Sequence, residues 1–286
     1  MHWPNFGPKT DTGPTRVCAD LSIRHSRGAR SERASIKLRL WRSFRRAGKP
    51  HPLHAPLTDS LENKLLAALP RKDFDALKAH MTVIPFVQGS IIYEAGAEVD
   101  HVYFPHTGMF SLLAVMRDGK AIETATVGRE GVVGAMAGLG LYKSLVRVTV
   151  QLPLHASKIA AAPFRRAVAA SEAIRDICVR YNEVMLTQAR ITAACNALHP
   201  VEERFCRWLL QSVDRAASET VGLTQELLAE MLGVRRTSVT DVARRMQEKG
   251  VITYSRGIIT VLDRKALERL SCECYQSLID QEATLI

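Results

Sequence analysis

The chain has 286 residues, of which 47% are hydrophobic and 24% charged, proportions of a globular protein long enough for two domains. Its formal net charge is +10, which suggests a polyanionic partner. No apolar run approaches the roughly 20 residues needed to cross a bilayer, and the basic N-terminus lacks an apolar segment followed by a small-residue cleavage site, so neither a membrane-spanning nor a secreted protein is expected and a cytoplasmic one is. Cys18, Cys178, Cys195, Cys206, Cys272 and Cys274 are scattered. The single close pair, Cys272 and Cys274, is too tight for common structural zinc spacing, so buried free thiols and no metal site are expected.

Residues 1–55 mix Gly, Pro, Ser and Arg without period, apart from a short basic stretch near Ile36 to Phe44, and are expected to form a disordered tail. Twelve Lys and Arg against Asp11, Asp20 and Glu32 place nearly all of the net charge there, so global charge does not establish nucleic-acid binding by the folded body. From Leu57 to His80 the pattern predicts short helices separated by Pro70. Residues 82–160 are short Val, Ile, Tyr and Phe-rich runs broken at glycines, a β-sandwich or small barrel within a domain spanning 56–163. In MRDGKAI, Asp118 and Gly119 sit between two such runs, where a primed hairpin turn is expected.

A long helix is expected over 164–199. Ile174, Tyr181, Gln188 and Cys195 fall on one heptad position and Ile177, Val184, Ile191 and Leu198 on the other, which predicts a coiled-coil seam between two subunits, with Gln188 fixing register. Pro200 interrupts this helix near a hinge at His199, and a domain over 200–275 follows, then a tail over 276–286.

In LTQELLAEMLGVRRTSVTDVARRMQEKG, Thr224 can cap a first helix and Gly233 permits a tight turn. Val239, Ala243 and Met246 then hold a second helix against Leu227, Leu228, Met231 and Leu232. The free face presents Arg235, Arg236, Thr237, Ser238, Thr240, Asp241, Arg244 and Arg245, side chains able to reach phosphates and base edges. VITYSRGIITVLD adds a hairpin with Arg256 at its tip, able to reach the sugar-phosphate backbone. A helix-turn-helix followed by such a wing is a DNA-binding arrangement.

The order of these elements over roughly 57–275 resembles the Crp/Fnr family of bacterial transcription regulators, most closely in LTQELLAEMLGVRRTSVTDVARRM, GVITYSRGIITVLD and LERLSCECY. The resemblance implies an α+β protein: an N-terminal double-stranded β-helix of jelly-roll type similar to a cyclic-nucleotide-binding domain, a long dimerisation helix, and a C-terminal winged helix-turn-helix. It implies an effector pocket around Gly131, Gly134, Ala135, Lys143, Ser144 and Arg147. Family members that bind cyclic nucleotides place Glu after the glycine and Arg before the serine. Here Ala135 removes an acceptor and Lys143 lacks the planar fork, so cyclic AMP is not expected; Arg147 either substitutes or is a solvent-facing strand residue. Only Cys18 precedes the β-domain, and His101 and His106 are lone histidines, so neither an iron–sulfur cluster nor heme is expected.

Where relatives reading a G-rich half-site carry Glu after the first Arg, this chain has Thr237, so the operator does not carry over. The expected function is a homodimeric, sequence-specific regulator binding a double-stranded DNA operator, with no catalytic residues, with RNA polymerase as a further partner if it activates, and with an unidentified small-molecule effector. The alternatives are a constitutive regulator with a non-sensing roll, and a nucleotide-binding module acting on a protein partner.

Overall fold

The computed structural model describes residues 63–285; the basic tail expected over 1–55 lies outside them. Two short helices, α1 (Lys64–Ala67) and α2 (Arg71–Lys78), flank Pro70, which caps α2 at a position where its missing N–H has no partner to lose. Buried Asn63 accepts from the Leu66 N–H and donates to the carbonyl oxygens of Pro105 and Gly131 at 2.9 and 2.8 Å, fastening α1 to the β-domain.

Seven strands follow: β1 (Met81–Phe86), β2 (Ile91–Tyr93), β3 (His101–Pro105), β4 (Met109–Val115), β5 (Ala121–Val127), β6 (Arg147–Leu152) and β7 (Leu154–Ala160). They pair antiparallel into two sheets of order β1-β7-β3 and β2-β6-β4-β5. The strands enclose a core around Phe86, Tyr103, Phe110, Val148 and Val150. The β4–β5 hairpin forms where expected, but with a different turn. Gly119 N–H bonds the Met116 carbonyl, and Met116 N–H bonds the Lys120 carbonyl. With Gly119 at φ 84°, this is a three-residue loop with a bulge instead of a two-residue primed turn.

The long helix expected over 164–199 is two helices, α3 (Ala161–Ala170) and α4 (Glu172–Leu198). Between them Ser171 is extended (φ −127°, ψ 122°), and its side chain accepts from the Ile174 N–H at 3.2 Å, a new N-cap that restarts the chain in another direction. Pro163 lies within the first turn of α3, where proline is tolerated. His199 closes α4 in extended conformation and Pro200 caps α5 (Val201–Ala216).

Next come β8 (Thr220–Gly222), α6 (Gln225–Leu232), α7 (Arg236–Glu248), β9 (Ile252–Ser255), β10 (Ile258–Val261), α8 (Arg264–Leu270) and α9 (Cys274–Leu285), with a sheet of order β8-β10-β9. Where a C-terminal tail was expected over 276–286, α9 instead packs along α4 and α5.

The winged helix shares its core with the β-domain. Met109, Leu113 and Leu152 from the outer face of the four-stranded sheet pack with Phe205, Trp208, Leu209 and Val239. This is why β4 is buried along most of its length: Phe110 fills the roll while Met109, Ser111 and Leu113 face the winged helix.

The expected subunit seam is corrected because most of its side chains meet their own chain, chiefly the β-domain. Ile174, Tyr181, Val184, Gln188 and Cys195 are buried within the single chain. Ile177 packs against the β-domain core and Ile191 against a cysteine cluster, while Leu198 is 76% exposed. Gln188 is polar for a local reason: its Oε1 accepts from the Thr126 backbone N–H at 2.9 Å, satisfying a donor of β5.

Candidate nucleic-acid interface and effector pocket

The helix-turn-helix is built as its sequence predicts. Thr224 caps α6 by accepting from the Leu227 N–H at 3.2 Å, and Gly233, at φ 64°, closes it. Leu228, Met231, Leu232, Val239, Val242, Ala243 and Met246 are buried between the helices and the rest of the domain. Arg235, Arg236, Thr237, Thr240, Asp241 and Arg244 are exposed, and Ser238 is half-buried. Arg245 leaves this free face, pairing instead with Glu202 at 2.8 Å beside Lys249, which anchors α7 to α5.

Gln225, which the sequence did not single out, organises the start of α7: its Oε1 accepts from Thr240 Oγ1 at 2.9 Å and from Arg236 Nε at 3.4 Å. Arg236 also meets Glu226 at 3.3 Å, with both side chains well exposed, a pair weak enough to exchange for a phosphate or base. Ile258 pairs with Ser255, so the wing turns through Arg256 and Gly257 alone, both at positive φ (52° and 78°): the primed turn occurs here. The Leu223 N–H bonds the Gly257 carbonyl at 2.7 Å, which seats the wing tip beside the start of α6. Arg256, the α6 N-terminus and the first turn of α7 are thus joined through Leu223, Thr224 and Gln225.

In the β-domain, a cavity of about 200 Å³ opens between β6, α4 and the short 3-10 helix Ala135–Leu139. Gly134, Ala135, Lys143 and Ser144 line it, but Gly131 and Arg147 do not. Arg147 Nε donates to Glu94 at 2.8 Å, making it a surface strand residue. Gly131 has a packing role: a Cβ there would lie 1.8 Å from the Tyr181 hydroxyl oxygen, so only glycine lets the long helix approach. Ser144 spends its hydroxyl on the Val146 carbonyl at 2.7 Å. The remaining walls are largely apolar, including Val99, Leu112, Val132, Met136, Leu145, Val148, Cys178 and Met185. With no guanidinium in the lining among the described residues and Ala135 in place of an acceptor, these residues do not fit a cyclic nucleotide phosphate and ribose. His106, considered above as a heme ligand, hydrogen-bonds Ser157 Oγ through Nε2 at 2.8 Å.

The two domains are tied by buried polar contacts. Trp208 Nε1 donates to Glu123 Oε1 at 2.6 Å, and Ser111 donates to the other carboxylate oxygen. Burial pushes the Glu123 carboxyl up to about 7, against the opposing pull of Ser111, Trp208, Arg207 and Arg215. Arg215 Nε meets Glu130 Oε1 at 3.0 Å, with both side chains buried. Burial opposes the Glu130 charge, but Arg215 and the Gly128 N–H outweigh it and hold the carboxyl below its ordinary range. Cys195, His199, Cys272 and Cys274, which sequence position scatters, also converge on one point.

A β-roll with an internal cavity, joined through a long helix to a winged helix with a free basic face, defines a two-domain DNA-binding regulator. Residues 83–171 match the cyclic nucleotide-binding domain family, and residues 203–270 the Crp-like helix-turn-helix domain. Among solved structures, a transcriptional regulator of the Crp/Fnr family from Eubacterium rectale is 17% identical, with 74% of this chain and 99% of that chain covered at a TM-score of 0.58. FixK2 from Bradyrhizobium japonicum is 15% identical over 67% and 98%, also at 0.58. The c-di-GMP responsive global regulator CLP of Xanthomonas campestris is 15% identical over 68% and 100% at 0.55. No curated protein sequence matches. The chain carries both domains of a Crp/Fnr-type transcription regulator, in that order, and has the fold of that family. Among the described residues no helix is long and apolar enough to cross a membrane.

Proposed function

We propose that the protein is a homodimer that reads a two-fold-related operator through α7, with the wing holding the flanking backbone and the roll cavity taking a small, largely apolar effector. The observation that carries this reading is the free face of α7: Arg235, Arg236, Thr237, Thr240 and Arg244 are exposed on a helix whose opposite face is wholly committed to the core. Arg236 is placed for guanine or phosphate, while Arg256 sits at a wing tip whose reach is to the backbone. Replacing Arg236 by Ala is expected to weaken specific operator binding by about 1–3 kcal/mol, whereas Arg256→Gly should weaken operator and random duplex alike. Gly adopts the positive φ of residue 256 more cheaply than Arg, so that variant should keep its wing. Quantitative gel shifts on both duplexes decide it; equal losses on the two duplexes for Arg236→Ala would refute base reading by this residue.

Because the inner face of α4 is occupied by its own chain, the subunit contact belongs to the outer face. There Val179 and Leu186 are 54% and 42% exposed and recur, with exposed Ala193, at seven-residue spacing. Leu186→Glu is expected to shift the protein to monomer in sedimentation velocity, and an unchanged dimer would place the contact elsewhere.

A further inference from the structure

We propose that Cys195, His199, Cys272 and Cys274 form a structural zinc site that fastens the elbow between the long helix and the winged helix to the C-terminal helix. The four donor atoms lie within 4.8 Å of one another. Cys195 Sγ is 3.5 Å from Cys272 Sγ, and Cys274 Sγ is 3.6 Å from His199 Nδ1. A tetrahedral zinc with the usual bond lengths separates two sulfurs by about 3.8 Å and a sulfur from a nitrogen by about 3.6 Å, so the side chains already sit close to ligand spacing. Donors this close surround one ion; a multi-iron cluster would hold its ligands apart on its own framework. Three thiolates and one imidazole in a tetrahedron suit zinc among the common metals.

Two further observations point to an ion. His199 Nε2 lies 3.2 Å from the Glu273 carboxylate, so its proton belongs on that nitrogen and the Nδ1 lone pair is left facing the sulfurs. This is the outer-shell arrangement that orients metal-binding histidines. On α5, buried Arg204 and Arg207 each carry an Nε with no hydrogen-bond partner, and both act electrostatically on the cysteine cluster. Three thiolates with one divalent zinc carry a single net negative charge, a counter-charge for these guanidiniums. On binding, three S–H protons leave to solvent as three Zn–S bonds and one Zn–N bond form.

The sequence signal is easily overlooked. Cys195 and His199 are four residues apart at the end of α4 and share a face, while Cys272 lies in the link from α8 to α9 and Cys274 opens α9, so neither half reads as a common zinc motif.

The test is metal analysis of the full, untagged chain purified under reducing conditions without chelator. About one zinc per chain is expected, with cobalt replacement giving thiolate-to-cobalt charge-transfer absorption and intense tetrahedral visible bands. The Cys272→Ser, Cys274→Ser double variant should lose the metal. Glu273→Gln, at an exposed position that leaves the ligands and the core intact, should weaken zinc about tenfold in chelator competition. The proposal is overturned by a folded, metal-free wild type that takes up no cobalt, by a Cys195–Cys272 disulfide replacing the metal, or by zinc retained in full after both cysteines are removed.

Discussion

Arg215→Met is expected to cost about 3–5 kcal/mol in chemical denaturation. The side chain is buried at the end of α5 and its partner Glu130 lies across the domain boundary, after β5. Removing the guanidinium leaves a carboxylate that is still desolvated, held by the Gly128 N–H and its own backbone N–H without a counter-charge in contact. The loss is therefore the penalty of an orphaned charge and exceeds the net worth of the pair. Adding Glu130→Gln should recover more than half of it, because the amide oxygen can keep the Gly128 hydrogen bond without carrying charge. No recovery in the double variant would show that Arg215 acts through packing alone. The sign with pH follows from the lowered Glu130 carboxyl: its contribution is present above the ordinary carboxylate range and is lost as pH falls through the lower folded value.

Glu123 gives the opposite slope. Its folded value is raised from 4.5 to about 7, so the folded protein holds a proton that the unfolded chain releases. Stability from this group is complete below about 4.5 and is lost as pH rises through about 7, a change on the order of 3 kcal/mol. Glu123→Gln keeps an acceptor for Trp208 Nε1 and supplies a donor for Ser111 Oγ, so it should fold normally and flatten the stability profile across this window. Equilibrium denaturation at a series of pH values measures it. An identical profile in wild type and variant would mean that Glu123 does not titrate there. Because the carboxylate joins β5 to Trp208 of α5, the same substitution should also make docking of the two domains less sensitive to pH near neutrality.

The parts of the molecule that local chemistry dictates were legible in the sequence. Thr224, Gly233 and the apolar residues of α6 and α7 act within a few residues of one another, and they place the free face of α7 without reference to the rest of the chain. The β-domain, the helix break at Pro70 and the helix break at Pro200 followed from composition and proline chemistry. What failed were choices between partners. The heptad of α4 says that one face is apolar, yet whether Tyr181 and Gln188 meet a second subunit or their own β-domain depends on a tertiary contact, and Gly131 and Thr126 decide it. Ser171 broke the long helix because its capping bond competes with helix continuation, a signal weaker than the proline eight residues earlier. The cysteine cluster was hidden for the same reason as Glu123 and Trp208: its members lie far apart in the chain, and only folding brings them to one point.

The apolar side chains that β4 and β6 lend to the winged helix limit how this protein could be taken apart. Expressed from Pro200 onward, the winged helix would keep Phe205, Trp208 and Leu209 but lose Met109, Leu113 and Leu152, leaving an uncovered greasy flank prone to self-association. A chimera that grafts this domain onto another sensor would need matching side chains on the host sheet, so the boundary convenient for cloning is not a boundary of the folded unit.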